Sequence, residues 1–390
     1  MRPARVVIDL DAARSNLRRV RVLAPKSKVM AVMKADAYGH GLTRMARACS
    51  AADAFGVACL EEAVQLREAG IHHRIVLLEG VFDAAELAGV RTHKLDIVVH
   101  SPAQLEMLER AAPGAPIPVW LKIDTGMHRL GLPLEQVPGA WQRLQTCKAV
   151  AQPVVLMTHL ASAQDRGASS VMRQLRNFES ATAAMSGERC IANSAAVLSL
   201  PAAHADWVRP GLMLYGVSPF EDGAAAGVEL KPVMTLRSAL IAVNHVRAGE
   251  AIGYGGTWTC PEDMPVGVVA MGYGDGYPRH AESGTPILVN GKRASLIGRP
   301  SMDMLSVDLR NVPGAKIGDP VVLWGLGDGG ALPVEEVARH ADTIPYQLLC
   351  SVKMRARFEV EGAADDARAV GTLAVEELDL EATPVDDGIA

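Results

Sequence analysis

Short apolar runs recur along the first half of this 390-residue chain, separated by helix-length polar or amphipathic stretches, and that rhythm restricts the fold more than any other feature. The runs fall at 29–33, 54–58, 75–78, 97–99, 118–123, 154–158, 190–192 and 212–215. Each is too short for a buried helix and suits a buried strand, whereas Leu60 to Ala69, Gln104 to Ala111 and Val171 to Met185 have helical length and spacing. A further run at 4–8 precedes a helical stretch from Asp11 to Val22 that Pro25 ends. Eight strands alternating with helices predict an α/β fold, a (β/α)8 barrel of the TIM type, over residues 10–229.

After Gly216 the texture changes. Pro219 to Pro232 lacks periodicity and reads as a linker, and beyond it helices become scarce. Runs at 236–243, 266–271, 286–289, 294–297, 304–308 and 320–324 are separated by turn residues, with Asn290-Gly291 a strong hairpin signal. A mainly-β domain, a small barrel or sandwich, is expected over residues 230–358, and residues 359–390 form an acidic, poorly ordered tail. From Val360 onward nine acids face one base, so this tail carries −8 of a net −5 and leaves the body at +3.

That charge balance leaves no basic footprint for nucleic acid. Asp9 interrupts any N-terminal apolar signal, and no stretch approaches membrane-spanning length, so a cytoplasmic protein is expected. Six scattered cysteines suggest neither disulfides nor a zinc site and read as buried apolar residues. The histidines form no metal-ligand cluster. Gly325-Leu326-Gly327-Asp328-Gly329-Gly330 satisfies a dinucleotide-binding spacing, but it lies in β-rich surroundings without a βαβ unit and reads as a glycine-rich turn.

Five stretches carry the candidate chemistry. In Val29-Met30-Ala31-Val32-Met33-Lys34-Ala35-Asp36-Ala37-Tyr38-Gly39-His40-Gly41 a strand stops at a lysine and breaks into a glycine-bearing loop. Taken alone, Lys34 is either a solvent-reaching lysine or a Schiff-base site at a strand's carboxyl end. Lys122 and Arg129, in the stretch Val119 to Gly131, are either a structural ion-pair set or an anion site, for which a planar guanidinium is suited. His159, where another strand ends, is either a hydrogen-bonded rim residue or a ring that stacks on a flat ligand. Ile191 to Ala196 and Trp207 to Gly216 fall on the seventh and eighth candidate strands, after which barrels often bind phosphate, and Ser194 and Gly211 suit that task. Arg209 cannot lose its proton, so any ring nitrogen it meets must accept.

Together these stretches resemble the alanine racemases, pyridoxal-phosphate enzymes that interconvert L- and D-alanine for bacterial cell-wall synthesis. The resemblance runs from about residue 4 to about 355 and continues through Ile252 to Trp258, Met271 to Pro278, Gly298 to Met304 and Ile344-Pro345-Tyr346. It implies a cofactor-bearing barrel, a β-domain that includes residues 1–9, and a homodimer with composite active sites.

By the same resemblance Lys34 forms the Schiff base with pyridoxal 5′-phosphate and Tyr254 is the second acid/base group. Tyr38, Ser194, Gly211, Leu212 and Tyr346 hold the phosphate, His159 lies beside the ring, and Arg209 faces its nitrogen. Arg129 meets the phenolic oxygen and the substrate carboxylate, with Met302 completing the pocket. Lys122 matches a position often carbamylated in the family. Two departures are Asp36, where asparagine is common, and Leu160, where an aromatic is common. A racemase of broader substrate range, a pyridoxal-phosphate decarboxylase of related fold and a non-catalytic cofactor carrier are the alternatives; the second domain argues against the carrier, and Tyr254 with Arg209 against the decarboxylase.

Overall fold

The computed structural model describes residues 2–165, 167–220 and 229–362. Most of the expected linker, 221–228, and the acidic stretch 363–390 lie outside the described residues. Eight parallel strands close into a barrel: β2 (Lys28–Val32), β3 (Ala54–Val57), β4 (Arg74–Leu77), β5 (Asp96–Val99), β6 (Ile117–Lys122), β7 (Val150–Met157), β8 (Arg189–Asn193) and β9 (Trp207–Arg209), with β9 pairing back onto β2. Met30, Ala54, Val76, Val98, Trp120, Val155, Met157, Cys190 and Trp207 fill the interior, while the alternate strand residues pack outward under the helices.

The eighth strand differs from the expectation. The apolar run 212–215 is a 3-10 turn, Leu212–Tyr215, and the closing strand lies just before it at Trp207–Arg209. The turn is buried on every side, which makes its sequence as apolar as a barrel strand. The true strand is three residues long and ends in an arginine, so it carries little strand signal.

A second sheet is built on β1 (Arg5–Asp9), which precedes the barrel in sequence but pairs antiparallel with β10 (Met234–Val246) and parallel with β19 (Arg357–Glu361). Between these lie the short pair β11 (Ala251–Ile252) and β12 (Trp258–Thr259), then β13 (Met264–Val269), β14 (Pro286–Val289), β15 (Lys292–Ile297), β16 (Leu305–Asp308), β17 (Pro320–Gly327) and β18 (Gly330–Leu332). The order is β18-β17-β14-β15-β16-β13-β10-β1-β19, and a further pairing of β10 with β17 closes the middle of the sheet on itself. Asn290 and Gly291 both take positive φ, as a two-residue hairpin turn between β14 and β15 requires. The glycine-rich segment at 325–330 makes the turn between β17 and β18.

Glu359 to Glu361 belong to β19, so the chain leaves the sheet after residue 361 rather than at 359. Cys49, Cys190 and Cys260 are buried, Cys59 and Cys147 half-buried, and Cys350 is exposed, against the expectation for that residue. No helix among the described residues is long and apolar enough to cross a membrane.

Candidate active site

The carboxyl ends of the barrel strands carry most of the candidate residues to one mouth. Lys122 ends β6, Thr158 and His159 follow β7, Ser194 follows β8, Arg209 ends β9, and Lys34 comes two residues after β2. Parallel pairing in a closed barrel makes residues distant in sequence neighbours at that rim. Tyr346, on the helix Pro345–Ser351 of the second domain, joins them: its ring lies 5.5 Å from that of Tyr38.

Lys34 opens a turn of unusual hand. Ala35, Asp36, Ala37 and Tyr38 all have φ between 51° and 55°, a left-handed turn made without glycine. Such a conformation costs an L-residue about 1–2 kcal/mol, so the surroundings must hold it. The Ala37 amide donates to the Met33 carbonyl at 2.8 Å, the Leu42 amide to Asp36 Oδ1 at 2.6 Å, and the Ala35 amide to Glu62 Oε1 at 2.7 Å. His40, wholly buried, donates from Nδ1 to the carbonyls of Tyr38 and Ala37. Tyr38 then stacks on Tyr215 with centroids 4.7 Å apart, and Tyr215 donates its hydroxyl to the Val32 carbonyl at 2.9 Å.

The turn delivers the Tyr38 hydroxyl against Gly211, where a Cβ would sit 2.6 Å from that oxygen; only glycine fits. Ser194 Oγ accepts from the Gly211 amide at 2.8 Å and from the Met213 amide at 3.3 Å, fixing the start of the 3-10 turn whose first N–H groups have no partner within the turn. Burial, then the neighbouring Tyr346 and Cys350, hold the Tyr38 phenol far above its ordinary range, so it remains a hydroxyl donor. The Tyr38 and Ser194 hydroxyls therefore meet beside this turn with the donor chemistry a phosphate needs.

Across the mouth the electrostatics are one-sided. Lys122 is buried, and desolvation, followed by the charges of Arg209, Arg129 and Lys34, lowers its pKa to about 8. The same four cations face His159, whose pKa lies well below the usual value, chiefly through burial. The imidazole is therefore neutral. Arg209 only donates, reaching His159 Nδ1 at 3.2 Å, so the ring proton is assigned to Nε2. Arg209 is itself fixed by the Thr158 carbonyl at 2.7 Å, the Ile191 carbonyl at 3.2 Å and Cys190 Sγ at 3.1 Å. A flat, multiply anionic molecule with a reactive carbonyl matches this set: an amine to bond it, cations to neutralise it, a neutral ring beside it. Pyridoxal phosphate fits that description.

Two expected residues stand apart. Tyr254 is 66 % and Met302 52 % exposed on the second domain, and among the described residues neither bonds to the barrel mouth of its own chain. Glu62 and Tyr215 were not singled out from sequence. The signal for Glu62 was an acid in the first turn of the helix Leu60–Glu68, which most helices place there for the dipole alone.

The chain matches known proteins over most of its length. The family models for the alanine racemase N-terminal and C-terminal domains match residues 8–219 and 233–360. The alanine racemase of Nitrosococcus oceani is 58 % identical over 349 residues, spanning 90 % of this chain and 97 % of that one. That of Halorhodospira halophila is 50 % identical over 359 residues, spanning 92 % and 98 %. The crystal structure of the biosynthetic alanine racemase from Pseudomonas aeruginosa superposes with a TM-score of 0.89 at 44 % identity, covering 93 % of this chain and 100 % of the other. With both domain models matched in order and near-complete relatives at such identity, this chain belongs to the alanine racemase family.

Proposed function

We infer that the protein is a pyridoxal 5′-phosphate-dependent alanine racemase that interconverts L- and D-alanine and supplies D-alanine for peptidoglycan. The observation that carries this is the convergence of Lys34 with Lys122, Arg129 and Arg209 beside the cradle of Tyr38, Ser194 and Gly211. When bound, the cofactor supplies an electron sink that acidifies the α-proton of the amino acid. Lys34 would hold it through its amine and carry the proton on one face. Tyr38, Ser194, Gly211, Leu212 and Tyr346 would hold the phosphate, His159 would lie beside the ring, and Arg209, which can only donate, would face the ring nitrogen as a donor. Arg129 would meet the phenolic oxygen and the substrate carboxylate, with Met302 completing the pocket.

Racemisation needs a second acid/base group on the opposite face, each such group being typically worth about 10²–10⁴ in rate. Tyr254 takes that role, reaching the site as the partner subunit's Tyr254 in a homodimer. Lys122, depressed to about 8, holds a fraction of neutral amine that can add carbon dioxide with loss of a proton, giving a carbamate that orients Arg129. The cytoplasm is the compartment we assign, since all six cysteines are free thiols.

Borohydride reduction of the cofactor-loaded protein is expected to trap the adduct on Lys34, with D-alanine formed from L-alanine and no carbon dioxide released. An adduct on another lysine would overturn the site, and carbon dioxide release would favour the decarboxylase.

A further inference from the structure

We propose that Glu62 is a positioning residue for Lys34: its two carboxylate oxygens pin the first peptide of the left-handed turn to the next strand-helix loop and so aim the lysine. This rests on Lys34 being the cofactor lysine. Within the turn, the other contacts act at or beyond Asp36, or close the turn on itself, as when Ala37 donates to Met33. The peptide joining Lys34 to Ala35 is different. Among the described residues its N–H has one acceptor, Glu62 Oε1 at 2.7 Å. The other oxygen, Oε2, accepts from the Ala58 amide at 2.8 Å, just after β3.

Glu62 thus bridges the loops after β2 and β3, two neighbouring strands in the barrel. Its carboxylate sits in the first turn of the helix Leu60–Glu68, where the exposed helix amides favour negative charge. Both partners are donors, so the side chain must offer two acceptors. Glutamine keeps the size but offers one, and would turn an NH2 group toward an N–H. The unusual hand of the turn makes this matter: four L-residues at positive φ fall back to a right-handed or extended path once a restraint is lost, and the residue at the hinge of that change is Lys34.

The test compares the holoenzyme with Glu62→Gln, Glu62→Ala and Glu68→Gln, the last removing a charge from the far end of the same helix. For Glu62→Gln we expect kcat to fall about tenfold with KM held within about twofold, the effect of losing one charge-assisted hydrogen bond that fixes a reacting group. Amide exchange in the peptide spanning residues 33–40 should quicken about tenfold while the barrel strands exchange as in wild type. Glu62→Ala should exceed Glu62→Gln in both readouts, and Glu68→Gln should match wild type.

Wild-type exchange and kcat in Glu62→Gln would overturn the role, as would exchange that quickens equally throughout the barrel, which marks general loosening. Failure of the underlying assignment reads differently. In that case the borohydride adduct of wild type lies on a lysine other than Lys34, whereas failure of the Glu62 role leaves the adduct on Lys34 and the turn undisturbed.

Discussion

His40 shows how much one side chain can contribute to a site it does not line. To donate from Nδ1 to two carbonyls of the left-handed turn it must leave Nε2 bare, and among the described residues that buried atom has no partner. Protonation would place a charge there. Burial, with Arg44 adding to it and the carbonyls opposing, lowers the His40 pKa to about 4. Since the folded value lies below the unfolded one, the unfolded chain binds more protons between about pH 6.5 and 4, and stability is lost as pH falls through that window. The full loss is roughly 3 kcal/mol. His40→Asn retains a donor near the Nδ1 position and cannot titrate. Urea unfolding at fixed protein concentration should show wild type losing roughly 3 kcal/mol more than His40→Asn between about pH 7 and pH 4; parallel pH profiles would remove His40 as the cause. His159, also lowered, titrates in both proteins and cancels in the difference. Lys34 and Lys122 were legible in the sequence because a charge that ends or interrupts an apolar run is conspicuous, whereas Arg209, on a strand with little signal, stood out only because its charge cannot be lost. His40 and Glu62 act through backbone groups and leave no comparable pattern.

Among the elements, the barrel strands were legible wherever a continuous apolar run coincided with a strand, and illegible at β9, where the apolar run belonged to the turn beside it. The left-handed turn was equally hidden, because alanine and tyrosine carry no mark of positive φ and a single aspartate only a weak one. The residue after Tyr38 does carry one. Gly39 has φ 77°, and a Cβ there would lie 2.4 Å from the Leu349 carbonyl in the helix that carries Tyr346. Gly39→Ala should therefore push that helix from Tyr38 and open the phosphate side of the site. Gly70 supplies the comparison: its φ is 78° but nothing among the described residues lies within 4 Å of the added atom. Gly70→Ala should cost about 1 kcal/mol for backbone strain alone and retain cofactor through dialysis. Gly39→Ala should cost more and shed it. Equal losses of melting temperature and equal cofactor retention would mean that the helix contact does not matter.

In the whole molecule the two-domain order was legible from the switch in periodicity, and the return of β1 to the second sheet rested on the family resemblance, since a short apolar run at a chain start fits many edges. The second domain also exposes Met302, Met304 and Met354. Arg2 and Arg355 draw this region together, both pairing with the wholly buried Asp275 while Arg355 also grips Asp303. Tyr254 shares that domain's surface, and in a two-fold dimer each active site would take Lys34 from one chain and Tyr254 from its partner. Mixing decides it. Lys34→Ala and Tyr254→Ala subunits are each expected to be inactive alone. Random reassortment of equal amounts makes about half the dimers mixed, each with one intact site, so about a quarter of wild-type activity should return if the two sites act independently. Sites built within one chain leave a mixed dimer with one lysine-deficient and one tyrosine-deficient site, and therefore predict no rescue. Reassortment verified by native mass, with activity still at background, would reject the shared site while leaving the barrel mouth and its lysine in place.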